Sequence, residues 1–219
     1  MRQRQEARKT VLEAALEMSE RGLVVGTSGN ISLRLNQRGE PQLIVITPTS
    51  RHYDTLRVND IPIMDINGKN VEGRLKPSIE TPLHIGIYKT RQDINAIIHT
   101  HSVFASAAAV AGLDIPVILE DQAALLGGEI RLAGYALSGT PEQVTNVLEA
   151  LGNRNAVLLA NHGAVGMGKT MRDAFTACEL IEKTARIYLL AMAAGKVNKL
   201  PEKAKKIQEE FFEHKQHKD

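Results

Sequence analysis

"ISLRLNQRGEPQLIVIT", residues 31–47, is the stretch on which the fold turns. Residues 31–35, "ISLRL", alternate apolar and polar side chains, as a half-buried strand does because neighbouring side chains point to opposite faces. "RGEP" (38–41) carries turn chemistry, and "QLIVIT" (42–47) reads as the return strand. Strands joined by so short a link run antiparallel, since a parallel partner needs a crossover of a dozen or more residues. A second hairpin follows in "PIMDINGKNVEG" (62–73), with Asn67-Gly68 as its turn.

Working outward, Ala7, Val11, Leu12, Ala15, Leu16 and Met18 mark one stripe of a helix over about 5–21, stopped by Gly22. "GTSGN" (26–30) is a glycine-bearing turn. Beyond the hairpins, Ser78 is placed to cap a helix running to about Thr90, followed by a strand at 94–101. An alanine-rich helix at 102–111 ends at Gly112. "IPVIL" (115–119) and "GEIRLAGYA" (128–136) read as short strands. Thr140-Pro141 opens a helix that stops at Gly152, because proline suits the first helical position. "AVLLAN" (156–161) is a buried strand, "GAVGMG" (163–168) its return strand, and a long helix spans about 170–195.

Hairpins come first and helices interleaved with strands come later. That order predicts an α/β domain whose central, mainly antiparallel sheet is flanked by helices, rather than a regular βαβ series. No repeat or inter-domain linker interrupts residues 1–200, which are read as one domain. The charged tail, 201–219, is apolar only at Phe211 and Phe212 among its large side chains beyond Ile207; it is either a last surface helix or a partly ordered segment.

With 43% hydrophobic residues in 219, the chain has enough apolar side chain for a sizeable core. Its 27 basic and 25 acidic residues nearly balance, which argues against the clustered basic surface of a nucleic-acid-binding protein. No apolar run approaches the roughly 20 residues needed to span a bilayer. The N-terminus reads as an amphipathic helix rather than a signal peptide. A lone cysteine, Cys178, rules out an intrachain disulfide and reads as a buried structural thiol. The expected compartment is the cytoplasm, with neither nucleic acid nor membrane as partner.

The chemistry-bearing residues begin at "IIHTHS" (97–102). Side chains two apart on a strand share a face roughly 6.5–7 Å apart, so His99 and His101 project together and can both reach one metal ion. Taken alone, the pair is better explained as two surface or capping histidines. His162 is a third histidine at the end of an apolar strand, in "LLANHG" (158–163). A pairing that laid 98–101 beside 157–162 would complete a three-histidine site with an open position, as catalytic zinc sites have. Glu80 stands near a helix start, where a carboxylate needs no more explanation than the helix dipole; beside a metal it becomes a fourth ligand able to act as base. His84, among Leu83, Ile85 and Ile87, reads as either a packing residue or one that supports the metal ligands from behind. "GTSGN" (26–30), "TPTS" (47–50) and "KPS" (76–78) are small-residue turns rich in hydroxyls and amides that suit an anion, although ordinary loops look alike. Their glycines match neither a P-loop nor a GxGxxG fingerprint.

In order, "GTSGNIS" (26–32), "ITPTS" (46–50), "EGRLKPSIETPLH" (72–84), "IIHTHS" (97–102), "LEDQAALLGGE" (119–129) and "LLANHGAVG" (158–166) resemble the class II aldolase/adducin family. Within it they are most similar to the L-fuculose-1-phosphate aldolase type, over about residues 5–195. The resemblance implies a single α/β/α domain assembled as a homotetramer, with active sites between subunits. It implies a divalent metal, zinc most often and Mn2+, Co2+ or Fe2+ otherwise, held by His99, His101, His162 and Glu80. Glu80 would also act as base, and Gly29, Asn30, Thr49, Ser50 and Ser78 match the positions that hold a substrate phosphate. The activity implied is reversible cleavage of a ketose 1-phosphate to dihydroxyacetone phosphate and an aldehyde. Ribulose-phosphate 4-epimerase chemistry, methylthioribulose-1-phosphate dehydration and a metal-free adducin-like interaction domain are the alternatives. Glu80 weighs against the epimerase, which generally carries Asp there. Two departures stand out: Ile79 replaces a second serine, and no tyrosine follows Tyr188. Where the family brings a tyrosine from a neighbouring subunit, this chain offers Glu120, Asp121 and Gln122, with Asp121 the candidate proton carrier.

Overall fold

The computed structural model describes residues 2–35 and 42–217. The "RGEP" turn expected at 38–41 lies outside the described residues. The strands on either side of it pair as anticipated. β1 (Asn30–Leu35) runs antiparallel to β2 (Leu43–Ile46), with Ser32 opposite Ile46 and Leu35 opposite Leu43. β3 (Ile63–Asp65) and β4 (Asn70–Glu72) form the second hairpin. Its turn closes through the Gly68 amide donating to the Asp65 carbonyl.

β5 (Ala96–Thr100), β6 (Arg131–Ala133), β7 (Ala156–Leu159) and β8 (Gly163–Gly168) complete one sheet among the described residues, in the order β4-β3-β2-β1-β5-β8-β7-β6. All neighbours are antiparallel except β6 and β7. β8 lies between β5 and β7, which corrects the expected pairing of 98–101 with 157–162. The tight β7–β8 connection forces this, because two antiparallel strands joined so closely become sheet neighbours. His162 therefore reaches His99 from the β7–β8 turn, and not from an adjacent strand.

Helices cover both faces. α1 (Arg2–Glu20) and α6 (Met171–Ala193) pack with Ile31, Val45, Ile63, Ala96 and Ile98 on one side. α2 (Thr81–Thr90) and α5 (Pro141–Leu151) pack with Ile44, Ile46, Ile97, Val157, Val165 and Met167 on the other. Because Ile97 belongs to the second face and Ile98 to the first, the two-residue period sends His99 toward α2 and α5. α3 (Val103–Val110) extends the first layer against α6. Cys178 sits on that layer fully buried, and burial pushes its thiol up to about 12. No helix among the described residues is long and apolar enough to cross a membrane.

Several elements differ from the sequence reading, and the strand expected over 128–136 is only Arg131–Ala133. Residues 115–119 form only an isolated bridge, Ile115 to Ile130. Pro116 lacks an amide for a ladder, and the buried Gln122 side chain serves the segment instead: its amide nitrogen donates to the Pro116 carbonyl and its oxygen accepts from the Ile118 amide. Gln122 belongs to α4 (Glu120–Leu126), a helix not anticipated. The α2 helix starts at Thr81 rather than Ser78, and Ser78 forms the turn before it, its carbonyl accepting from Thr81 Oγ1 at 2.6 Å. The tail residues 202–217 form α7 (Glu202–His217), packed on α4, with Phe212 buried against Gly127.

Candidate metal centre and active site

Asn30, at the start of β1, lies opposite His99 on β5, and His99 in turn lies opposite Val165 on β8. The sheet register therefore places the end of "IIHTHS" beside "GTSGN". Gly29 is the residue that permits this approach. Its φ is +72°, and a Cβ there would stand 2.7 Å from the His99 carbonyl oxygen. At the other side, Gly163 begins β8 where a Cβ would meet the Thr100 carbonyl oxygen at 2.2 Å. The β7–β8 turn can thus close directly over the end of β5, with His162 at its tip.

The three imidazoles converge. His99 Nε2 is 2.9 Å from His101 Nε2 and 3.2 Å from His162 Nε2, and the ring centroids are 4.6–4.8 Å apart. His99 Nδ1 lies 3.0 Å from the Ala164 carbonyl oxygen, which can only accept, so Nδ1 carries the proton and Nε2 faces the cluster with its lone pair. Burial and the neighbouring imidazoles push His101 down to about 4, and burial and His99 push His162 down as well. Imidazole nitrogens converging on one point are what a cation needs. Tetrahedral ligands on bonds of about 2.1 Å stand about 3.4 Å apart, close to the spacing here.

Glu80 completes the group. It is the residue before α2, yet its side chain makes no capping bond. The helix-dipole explanation therefore does not account for where the carboxylate points. Oε2 lies 3.1 Å from His99 Nε2 and accepts from Asn30 Nδ2 at 2.8 Å; Oε1 accepts from Gln143 Nε2 at 2.7 Å. Burial alone would raise its pKa, but His99, His162, Gln143 and Asn30 outweigh burial and hold the carboxyl down to about 2. His84 stands behind Asn30, fully buried, with Nε2 donating to Asn30 Oδ1 at 2.6 Å and Nδ1 facing Ser32 Oγ at 2.6 Å. Ser32 Oγ in turn lies 2.8 Å from the Tyr88 hydroxyl. Burial pushes His84 down to about 3, so it serves this chain of bonds as a neutral donor.

The turns read as anion-friendly meet the cluster in one cleft. Gly29, Asn30, Thr49, Ser50, Ser78, Glu80, His101 and His162 all line it. The 47–49 and 76–78 segments are clasped by the Thr49 amide to the Lys76 carbonyl and the Ser78 amide to the Thr47 carbonyl, each 3.0 Å. Ser78 Oγ accepts from the Glu80 amide at 3.2 Å, leaving its O–H to donate. Ser50 adopts φ 54°, an uncommon left-handed backbone for a non-glycine residue. Asn30 differs from the other candidates, because both ends of its amide are committed to Glu80 and His84. Asp121 does not line this cleft; it lies exposed on α4, 2.6 Å from Lys183 Nζ. Two residues escaped the sequence reading. Ser138 lines the cleft from the loop after β6, and Gln143 grips Glu80 from α5. The periodic pattern of α5 marks Gln143 as facing the core, and a core-facing glutamine was the available signal.

Comparison with known proteins identifies relatives of the chain and of its fold. Residues 9–189 match the family model described as Class II Aldolase and Adducin N-terminal domain. A 5-deoxy-D-ribulose 1-phosphate aldolase from Bacillus thuringiensis is 35% identical, covering 90% of this chain and 91% of the relative. An L-fuculose phosphate aldolase from Escherichia coli is 37% identical, covering 87% and 86% respectively. A solved L-fuculose 1-phosphate aldolase structure superposes with a TM-score of 0.88 at 35% identity, covering 95% of this chain and 96% of that one.

Proposed function

The chain belongs to the class II aldolase and adducin family, and on that premise we propose that it is a metal-dependent lyase. It cleaves a ketose 1-phosphate, such as L-fuculose 1-phosphate or a 5-deoxypentulose 1-phosphate, to dihydroxyacetone phosphate and an aldehyde. One observation carries the reading: three imidazole nitrogens and a buried carboxylate converge at the floor of a cleft whose walls are hydroxyl-bearing turns.

His99, His101, His162 and Glu80 would hold the cation, zinc by preference for nitrogen-rich tetrahedral sites. When bound, the cation supplies Lewis-acid polarisation of the ketose carbonyl. The chain's own groups do the rest. Ser50, Ser78, Thr49 and the Gly29–Asn30 backbone face the phosphate, anchoring the substrate at the end remote from the bond that breaks. Cleavage removes a proton from the hydroxyl on the aldehyde side of the breaking bond and delivers a proton to the carbon that acts as the nucleophile in synthesis. Glu80 exchanges the second of these, taking that proton off again in the synthetic direction. Asp121, outside the cleft of its own chain, serves as the hydroxyl's proton carrier from a second copy. The exposed Val103 and Val110 on α3 and Leu190 and Met192 on α6 support association, and a homotetramer in the cytoplasm is the assembly assigned.

A coupled assay for dihydroxyacetone phosphate, run over fuculose, rhamnulose, ribulose and deoxypentulose 1-phosphates, tests the proposal. Release from at least one sugar, abolished by EDTA and restored by zinc, is the expected result. Epimerisation of a pentulose phosphate without cleavage, or cleavage indifferent to EDTA, overturns it.

A further inference from the structure

We infer that Gln143 is a positioning residue: its amide fixes the Glu80 carboxylate and ties it to the loop that brings Ser138 into the cleft. The inference rests on the proposed role of Glu80 and goes beyond it, since it concerns what holds that carboxylate in place.

The amide orientation follows from its neighbours. The Gly139 backbone N–H can only donate, and it lies 2.7 Å from one end of the Gln143 side chain, so that end is Oε1. The other end, Nε2, then faces Glu80 Oε1 at 2.7 Å as a donor. Gln143 is 4% exposed and Glu80 also 4%, so water does not compete freely for either bond. Gln143 is itself fixed on α5, where its backbone amide donates to the Thr140 side chain that caps the helix. Asn30 holds Oε2 from the sheet side and Gln143 holds Oε1 from the helix side. The carboxylate plane is therefore set by two amides on separate elements.

The same amide reaches the loop between β6 and α5. The Thr140 amide and hydroxyl both donate to the Leu137 carbonyl, folding residues 137–140 into a turn with Ser138 at the cleft. The turn lies so close to the segment carrying Ile79 and Glu80 that a Cβ on Gly139 would stand 2.6 Å from the Ile79 carbonyl oxygen. With Gln143 accepting from Gly139, any rotation of Glu80 away from His99 is transmitted to this turn. Amides that orient metal-side carboxylates typically matter by about 10–100-fold in metal affinity or activity.

Zinc affinity, measured by chelator competition on the purified full chain, separates positioning from mere folding. Gln143→Leu keeps the helix and the side-chain volume while removing both bonds. It is expected to weaken zinc binding about tenfold and lower kcat about tenfold or more, with KM changed less than threefold. Glu142→Gln, one residue away and exposed, is expected to change neither. The deciding measurement is a double-mutant cycle. If Gln143 acts through Glu80, Gln143→Leu has no further effect on zinc affinity in a Glu80→Ala background. Independent, multiplying effects overturn the inference, as does a Gln143→Leu protein with zinc affinity and kcat within twofold of the parent. A Glu80→Gln enzyme with full turnover overturns the role of Glu80 instead, and the cycle on zinc affinity still reads the link between the two side chains.

Discussion

The floor and the walls of the cleft are built on different principles. His99 stands on a central strand, fully buried, with its register set by Asn30 on one side and Val165 on the other. Ser50, on the wall, is exposed in a turn with left-handed backbone, and Ser78 belongs to a clasp of two loop segments. A cation needs donor atoms placed to within a few tenths of an ångström, which strand ends and one tight turn provide. A phosphate presents several oxygens in many orientations, so small hydroxyl residues on loops suffice. Precision is spent where the chemistry is least tolerant.

Breaking the floor should therefore cost far more than breaking the wall. His99→Ala is expected to lose metal and to lower activity by at least about a hundredfold, read by metal analysis alongside the dihydroxyacetone phosphate assay. A His99→Ala enzyme with normal zinc content and turnover would remove the floor from the mechanism. On the wall, Ser50→Ala combined with Ser78→Ala is expected to raise KM about tenfold with kcat largely kept, because hydrogen bonds to a charged group contribute about 1.5–3 kcal/mol when buried and less when exposed. A drop in kcat without a change in KM would mean these serines touch the reacting end of the sugar.

The smallest expected effect sharpens the comparison from behind the floor. His84 is neutral in the folded chain down to about 3, whereas its ordinary value is 6.5, with burial the main cause, Glu80 opposing and His99 adding to it. The unfolded chain thus takes up a proton from about pH 6.5 downward, while the folded chain does not until near pH 3. Its contribution to stability is complete above the unfolded value and declines as pH falls through that window, by about 1 kcal/mol between pH 7.5 and 5.5. Urea titrations of the metal-free protein at the two pH values should show this loss, and His84→Gln should reduce it. Equal slopes in parent and variant would place the acid sensitivity elsewhere.

Much of this arrangement was legible beforehand, for local reasons. The strand at 31–35, the Asn67-Gly68 turn and the Thr140-Pro141 helix start each depend on a few residues and appear where local chemistry puts them. The alternation did not give a half-buried strand, however: Ser32 and Arg34 are buried because β1 is central in the sheet. The two-residue spacing of His99 and His101 required a shared face whatever the rest of the chain did. Less local features were not legible. Residues 115–119 look like a strand, but a single proline and a glutamine from the next helix keep them out of the sheet. The β7–β8 pairing follows from their short connection, but the pairing of β8 with β5 is a choice among several apolar strands with similar patterns.

Composition, periodicity and turn residues by themselves determined an α/β chain with an antiparallel core, three histidines at strand ends and an acid before a helix. Only the tertiary structure decided that these groups meet. Strand order carried His162 to His99 across β8, and helix packing brought Gln143 to Glu80 over 63 residues of chain. Contacts of that kind depend on how distant surfaces pack against one sheet, and no local spacing encodes them.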